Sequence, residues 1–247
     1  MSRHTYSGAD PALLERIDAR QERLQRARPA PAALERLWEG LLPDWIAGSN
    51  ALDGNRLTRD ETAQLLTDGA RFDDRTLREH LEALNHRAAI AEARRLAGQR
   101  RPLRASVVRR LHALLQAHIE DDTPGQYRAF PLDSDAGASV ADQMRRWELW
   151  LQTDGADLHP LERAAVSLSR LSAIMPFRDG NGRVARLTMN LSLLRDGYLP
   201  AILRYEQRHD YRLALYQAGQ GSYAGLVTLI AGAIERVQGV YLLAFGV

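Results

Sequence analysis

The chain has 247 residues, 45% of them hydrophobic and 26% charged, enough for one large packed domain or a domain with a small annex. It has no cysteine, which excludes disulfides, zinc-thiolate sites and thiol nucleophiles. All 33 basic residues are arginine, and with 31 acids they leave a net charge of +2. The two signs alternate along the chain, so no nucleic-acid footprint is expected. No apolar run is read as long enough to cross a bilayer, and Met1 to Thr5 lack an apolar leader, so no membrane contact is expected and a cytoplasmic protein is the simplest reading.

Helical periodicity dominates. Leu13, Leu14, Ile17 and Leu24 predict an amphipathic helix from about Pro11 to Ala27, broken by Arg28-Pro29-Ala30-Pro31. Leu34, Leu37 and Leu41 predict a second, interrupted at Pro43 before the run Trp45 to Asn55. Thr58 stands three residues before Glu61, the spacing of a capping box. Asp73 or Asp74 is expected to cap a long helix through Leu77, Leu81, Leu84 and Ile90. Further helices are predicted near 105–119, 139–151 and 160–174, with Trp147 and Trp150 as core residues. The turn-rich stretch Asp121 to Asp133 reads as a small flap, either a hairpin or a loop. Helices are then expected over about 182–195, closed by Gly197, and near 210–217 and 223–243. The expected architecture is all-α, with an N-terminal helical annex over residues 1–57 and a core domain over 58–247.

The most informative run is Met175-Pro176-Phe177-Arg178-Asp179-Gly180-Asn181-Gly182-Arg183-Val184-Ala185-Arg186. It is a glycine-bracketed loop leading directly into a helix. Gly180 and Gly182 let the main chain approach a ligand closely. A helix N-terminus offers unpaired N–H donors and partial positive charge, which suits an anion. Arg183 and Arg186 are neighbours on one helix face, and their planar forks match phosphate oxygens. Asp179 is a hard oxygen donor, and phosphate-bound magnesium needs only one or two carboxylates.

This run resembles the motif of the Fic (Fido) family, His-x-Phe-x-Asp/Glu-Gly-Asn-Gly-Arg-x-x-Arg, at every fixed position except the first. Pro124-Gly125-Gln126-Tyr127-Arg128, Asn190, Gly197-Tyr198 and Gly221-Ser222-Tyr223 extend the likeness from about Arg36 to Phe245. The resemblance implies a helical fold that binds ATP, or another nucleotide, with Mg2+ and transfers AMP to a hydroxyl side chain of a target protein. It implies Asp179 as metal ligand, Gly180, Asn181 and Gly182 as a phosphate cradle, and Arg183 and Arg186 as phosphate partners. Phe177 is implied as an anchor of the loop and Tyr211 as a wall of the nucleoside pocket. Oligomerisation is left open.

Two positions qualify that expectation. Met175 stands where the family has the histidine that takes the proton of the attacking hydroxyl, and a thioether accepts no proton at physiological pH. Loss of a positioned base costs about 10²–10⁴-fold in rate, so the expected protein is inactive, very slow, or a non-catalytic nucleotide-sensing or protein-interaction module. His159 and His209 are the alternative bases considered. Secondly, Ser49-Asn50-Ala51-Leu52-Asp53-Gly54-Asn55 resembles the family's inhibitory helix, whose acid pairs with the second motif arginine, here Arg186. Ser49 and Asp53, four apart, would share a helix face. Asp53 is one methylene shorter than the glutamate usual there, which puts its reach in question.

Overall fold

The computed structural model describes residues 8–99, 102–119, 123–129, 132 and 137–247. Among them the chain forms ten α-helices and no strand: α1 (Pro11–Ala27), α2 (Pro31–Ala51), α3 (Arg59–Asp68), α4 (Leu77–Gly98), α5 (Ala105–Leu115), α6 (Val140–Gln152), α7 (Pro160–Ile174), α8 (Asn181–Arg195), α9 (Arg208–Gly219) and α10 (Ala224–Phe245). The all-α expectation holds. Flap residues 121, 122, 130, 131 and 133, and 134–136 after them, lie outside the described residues, as do Met1 to Thr5.

The centre of the molecule is α8, packed against α7, α4 and α5, with α2 touching its N-terminal half. Every residue from Arg183 to Leu193 is buried, so α8 shows no amphipathic stripe; a helix covered on all sides needs none. Some of its polar residues are placed against partners. Asn190 bonds both backbone groups of Ala201, accepting from its N–H at 2.7 Å and donating to its carbonyl at 3.1 Å. That clamp holds the extended segment 199–203 beside α2. There Gly48 is required, since a Cβ would meet the Leu203 carbonyl at 2.6 Å.

Several local expectations are corrected. Pro43 lies inside α2 and does not interrupt it. The carbonyl that loses its partner belongs to Glu39, an exposed residue, while Trp38, Leu42, Trp45 and Ile46 bury the other face and hold the helix through the proline. Thr76, and neither Asp73 nor Asp74, caps α4, because Glu79 three residues on completes a reciprocal capping box. The helix read as 105–119 ends at Leu115, and His118 adopts a left-handed backbone (φ 61°). The Thr58–Glu61 capping box forms as expected, and Ser139 caps α6.

Trp147 and Trp150 are core residues, and Trp147 Nε1 donates to Ser167 Oγ at 3.2 Å. The reading that no run is long and apolar enough to cross a bilayer is also corrected. α10 qualifies by length and composition, with a mean hydropathy of 1.5. It packs against α1, α9 and α7 and buries Gln238, whose amide donates to the Ile17 carbonyl, the behaviour of a core helix.

Candidate functional site

The loop between α7 and α8 is held from three directions. Met175 ends α7 in the left-handed region (φ 42°, ψ 64°) and is 40% exposed. Arg128 braces it from the flap lead-in: its Nε donates to the Met175 carbonyl at 2.9 Å, its Nη2 to Ile174, and its N–H to Pro176. Phe177 is buried against His112, ring on ring with centroids 3.7 Å apart. His112 Nδ1 accepts the Gly125 N–H at 3.0 Å, which leaves Nε2 to donate to the Asp179 carbonyl at 3.0 Å. That fixes one neutral tautomer. Finally, Asn181 stitches the loop shut, accepting from the Phe177 N–H at 2.9 Å and donating to its carbonyl at 2.8 Å. The Asn181 side chain is therefore spent on the loop, and only its backbone faces the cradle as an available donor.

Gly180 precedes α8 with φ 69°, and a Cβ there would meet Gln116 Nε2 at 2.5 Å. Both requirements select glycine. The first N–H groups of α8 have no intrahelical acceptor. Into this end of the helix turns the Asp53 carboxylate. It lies 3.1 Å from Arg186 Nη2 and 3.6 Å from Arg183 Nε, and a Cβ on Gly182 would meet it at 2.6 Å. Asp53 is in the turn after α2, its N–H bonded to the Asn50 carbonyl. The run Asp53-Gly54-Asn55 thus terminates the helix and also delivers an acid to Arg186; the shorter side chain reaches. Ser49 lies next to it, its Oγ and carbonyl accepting from Arg186 Nε and Nη2 at 2.9 and 2.8 Å.

Arg183 and Arg186 are 2% and 3% exposed. Burial, the largest single effect, lowers the Arg186 pKa, but the charge and hydrogen bond of Asp53 together with those of Tyr211 outweigh it, so the net shift is upward. Tyr211 is buried with its ring 5.9 Å from the Arg186 guanidinium carbon, and burial raises its hydroxyl pKa. It backs the arginine within the core. Arg183 Nε has no hydrogen-bond partner, a buried donor with spare capacity beside a helix N-terminus.

Asp179 sits at the opposite lip, half exposed. Its Oδ1 accepts the Gly180 N–H at 2.7 Å, and its Oδ2 pairs with Arg78 and lies 3.9 Å from Arg183 Nη2. Burial pushes its pKa up, but the Gly180 N–H, Arg183 and Arg78 outweigh that and hold it below the usual carboxylate range. Among the described residues no three His, Asp or Glu side chains gather around one point. A single ionised carboxylate suits magnesium that takes its other oxygens from phosphate and water. Between Asp53, Arg78, Glu82, Asp179 and Arg183 lies a cleft of about 310 Å³.

Several partners escaped sequence reasoning. Arg78 and Glu82, from α4, complete an alternating ring of charge: Glu82 takes Arg78 Nε at 3.1 Å, Arg183 Nη1 at 3.2 Å and the Asn55 amide at 2.8 Å. His86, fully buried beneath the two motif arginines, bonds Asn50 Oδ1 at 2.8 Å. Burial first, then Arg183 and Arg186, push its pKa down to about 3. The two alternative bases fall elsewhere. His159 caps α7 through Nδ1 and bonds Asp18 on α1, and His209 is exposed on the first turn of α9.

This is an all-helical domain in which two buried arginines face an acid at the N-terminus of the central helix. Residues 102–193 match the Fic/DOC family, and the chain carries a Fic/DOC domain. It is 30% identical over 240 residues to a protein adenylyltransferase Fic of Nematostella vectensis, covering 94% of this chain and 56% of that protein. It is 29% identical over 241 residues to the adenylyltransferase of that name from Drosophila melanogaster, covering 95% and 49%. The chain thus spans about half the length of these curated relatives. Among solved structures it is similar to Fic-1 residues 134–508 from C. elegans, with a TM-score of 0.86 at 25% identity, covering 94% of this chain and 71% of that one. A Fic-domain signalling protein from Bacteroides thetaiotaomicron has the same fold, with a TM-score of 0.82 at 23% identity over 95% of this chain and 97% of that one.

Proposed function

We propose that this chain binds ATP with magnesium and, as a slow or silent adenylyltransferase, directs AMP toward a hydroxyl side chain of a protein target. The observation that carries this reading is the convergence of two buried arginines on an acid at the N-terminus of α8. Polyphosphate oxygens would take the place that the Asp53 carboxylate holds, with the α8 N–H groups, Arg183 and Arg186 as donors. Asp179 would hold magnesium, which when bound neutralises phosphate charge. The relatives named adenylyltransferases support AMP as the group transferred.

Within this reading Asp53 is an internal competitor for the phosphate, and Met175 sets the rate. The left-handed Met175 leaves its side chain at the open side of the loop, where the attacking hydroxyl would approach, yet it offers no proton acceptor. That same residue favours a second reading, a nucleotide-sensing module without transfer. A Met175→His variant separates the two. Labelling of a protein lysate from α-labelled ATP should rise about 10²–10⁴-fold over the parent, the usual contribution of a positioned base. Unchanged labelling with intact ATP binding would leave only the sensing module, and no ATP binding by either form would end both readings. We further propose residues 1–57 as a regulatory annex to a core over 58–247, and a cytoplasmic location without membrane or nucleic-acid contact.

A further inference from the structure

Asp179 and Asp53 stand on opposite lips of one cleft, and α4 joins them. Arg78, on the first turn of α4, holds Asp179 Oδ2 through Nη2 and Glu82 Oε1 through Nε. Glu82 in turn accepts the Asn55 amide at 2.8 Å, and Asn55 follows Asp53 by two residues. A continuous line of contacts therefore runs from the acid in the phosphate cradle to the carboxylate at the loop. Glu82 is nearly buried, whereas the Arg78 and Asp179 side chains are about half exposed. The inner part of this line is fixed, and its outer end can exchange with solvent.

Resting on the nucleotide–magnesium reading of the site, we propose that Arg78 is a tethered cation that occupies the Asp179 carboxylate and must be displaced by the incoming divalent metal. Phosphate and metal would then each meet a built-in occupant of matching charge: Asp53 on the phosphate side, Arg78 on the metal side. A guanidinium and a divalent cation cannot share Asp179 Oδ2, because Oδ1 is already taken by the Gly180 N–H and like charges at contact repel. The Asn55–Glu82 link couples the two occupants. A shift of the 53–55 turn removes a donor from Glu82, which then competes more strongly with Asp179 for Arg78.

The test is the Mn2+ affinity of the ADP complex of the full chain, measured by electron paramagnetic resonance. Arg78→Met, which keeps most of the aliphatic stem, should bind Mn2+ about 2- to 5-fold more tightly, the range for removing a partly exposed competing ion pair. Arg78→Lys should fall between that variant and the parent. Arg56→Met removes an equal charge from the same cleft but frees Glu79, not Asp179, and should change the affinity less than about twofold if the effect is specific. Equal or weaker Mn2+ binding by Arg78→Met, or the same gain in Arg56→Met, overturns the proposal. Asp179→Asn distinguishes the underlying reading: if it keeps the parental Mn2+ affinity, or if no form binds ADP, the metal site itself is misassigned and the Arg78 proposal falls with it.

Discussion

Replacing Asp53 with asparagine removes one negative charge from the N-terminus of α8 and leaves its shape. In the parent the carboxylate lies 3.1 Å from Arg186 and 3.6 Å from Arg183, with a side chain 30% exposed against arginines below 5%. Breaking a fully buried pair costs about 3–5 kcal/mol and an exposed one less than about 1; the partial exposure of Asp53 places this pair at about 1–2. Ser49 keeps two of the Arg186 bonds in either case. The unliganded variant should therefore melt about 2–8 °C lower, at roughly 2–4 °C per kcal/mol for a chain of this size. The same energy no longer opposes phosphate, so ATP should bind about 5- to 30-fold more tightly. Calorimetric titration with ATP and magnesium, beside thermal melts with and without ligand, reads both effects. A lowered melting temperature with unchanged ATP affinity would refute the reasoning, because it would place the Asp53 partners outside the phosphate site.

Three further outcomes follow from the geometry. Gly182→Ala puts a methyl 2.6 Å from Asp53 Oδ1 and 2.9 Å from Arg186 Nη1; circular dichroism should show the helices intact while ATP affinity falls at least about tenfold, as expected when about 1.4 kcal/mol of contact is lost. Gly180→Ala meets both a left-handed backbone and Gln116, and urea denaturation should show about 1–3 kcal/mol of lost stability. His86 is held neutral in the folded state with a pKa of about 3 against an ordinary 6.5. The unfolded chain gains this proton first, so the His86 contribution is complete above about pH 6.5 and declines as pH falls toward 3, by up to about 1.4 kcal/mol per unit. His86→Gln should flatten the stability profile between pH 6.5 and 4; an unaltered slope would contradict the burial argument.

Much of the scaffold was legible because its signals are local. Capping boxes at Thr58, the proline starts of α1 and α7, and the apolar spacing of α6 are each written within one or two turns. The loop of residues 175–186 was legible for the same reason: glycine freedom, a helix start and two arginines lie within twelve positions. Pro43 misled because the cost of a proline is set by what surrounds it, and here Trp38, Trp45 and their neighbours hold the helix through it. α10 misled in the opposite way, since Glu235 and Arg236 break up its apolar surface without shortening the helix.

The remaining site residues were illegible because each acts across long separations. Arg78 meets Asp179 and His112 meets Phe177 only after α4 and α5 pack on α8. On its own stretch of sequence, the Arg78–Glu82 pair is an ordinary helical ion pair four residues apart. Asp53 could be suspected from its resemblance to an inhibitory acid, but its reach to Arg186 depends on how far α2 slides along α8. Gly48 lets α2 lie close against the Leu203 carbonyl.

The claim on which the account rests is that Arg183 and Arg186 grip polyphosphate at the start of α8. Titration of ATP with magnesium into Asp53→Asn, and into the same protein carrying Arg183→Gln or Arg186→Gln, measures this directly. Saturable one-site binding, weakened at least about tenfold by either added substitution as for a lost charge-assisted hydrogen bond, is the predicted result. Equal affinity in all three folded proteins, or no binding by Asp53→Asn itself, would contradict it.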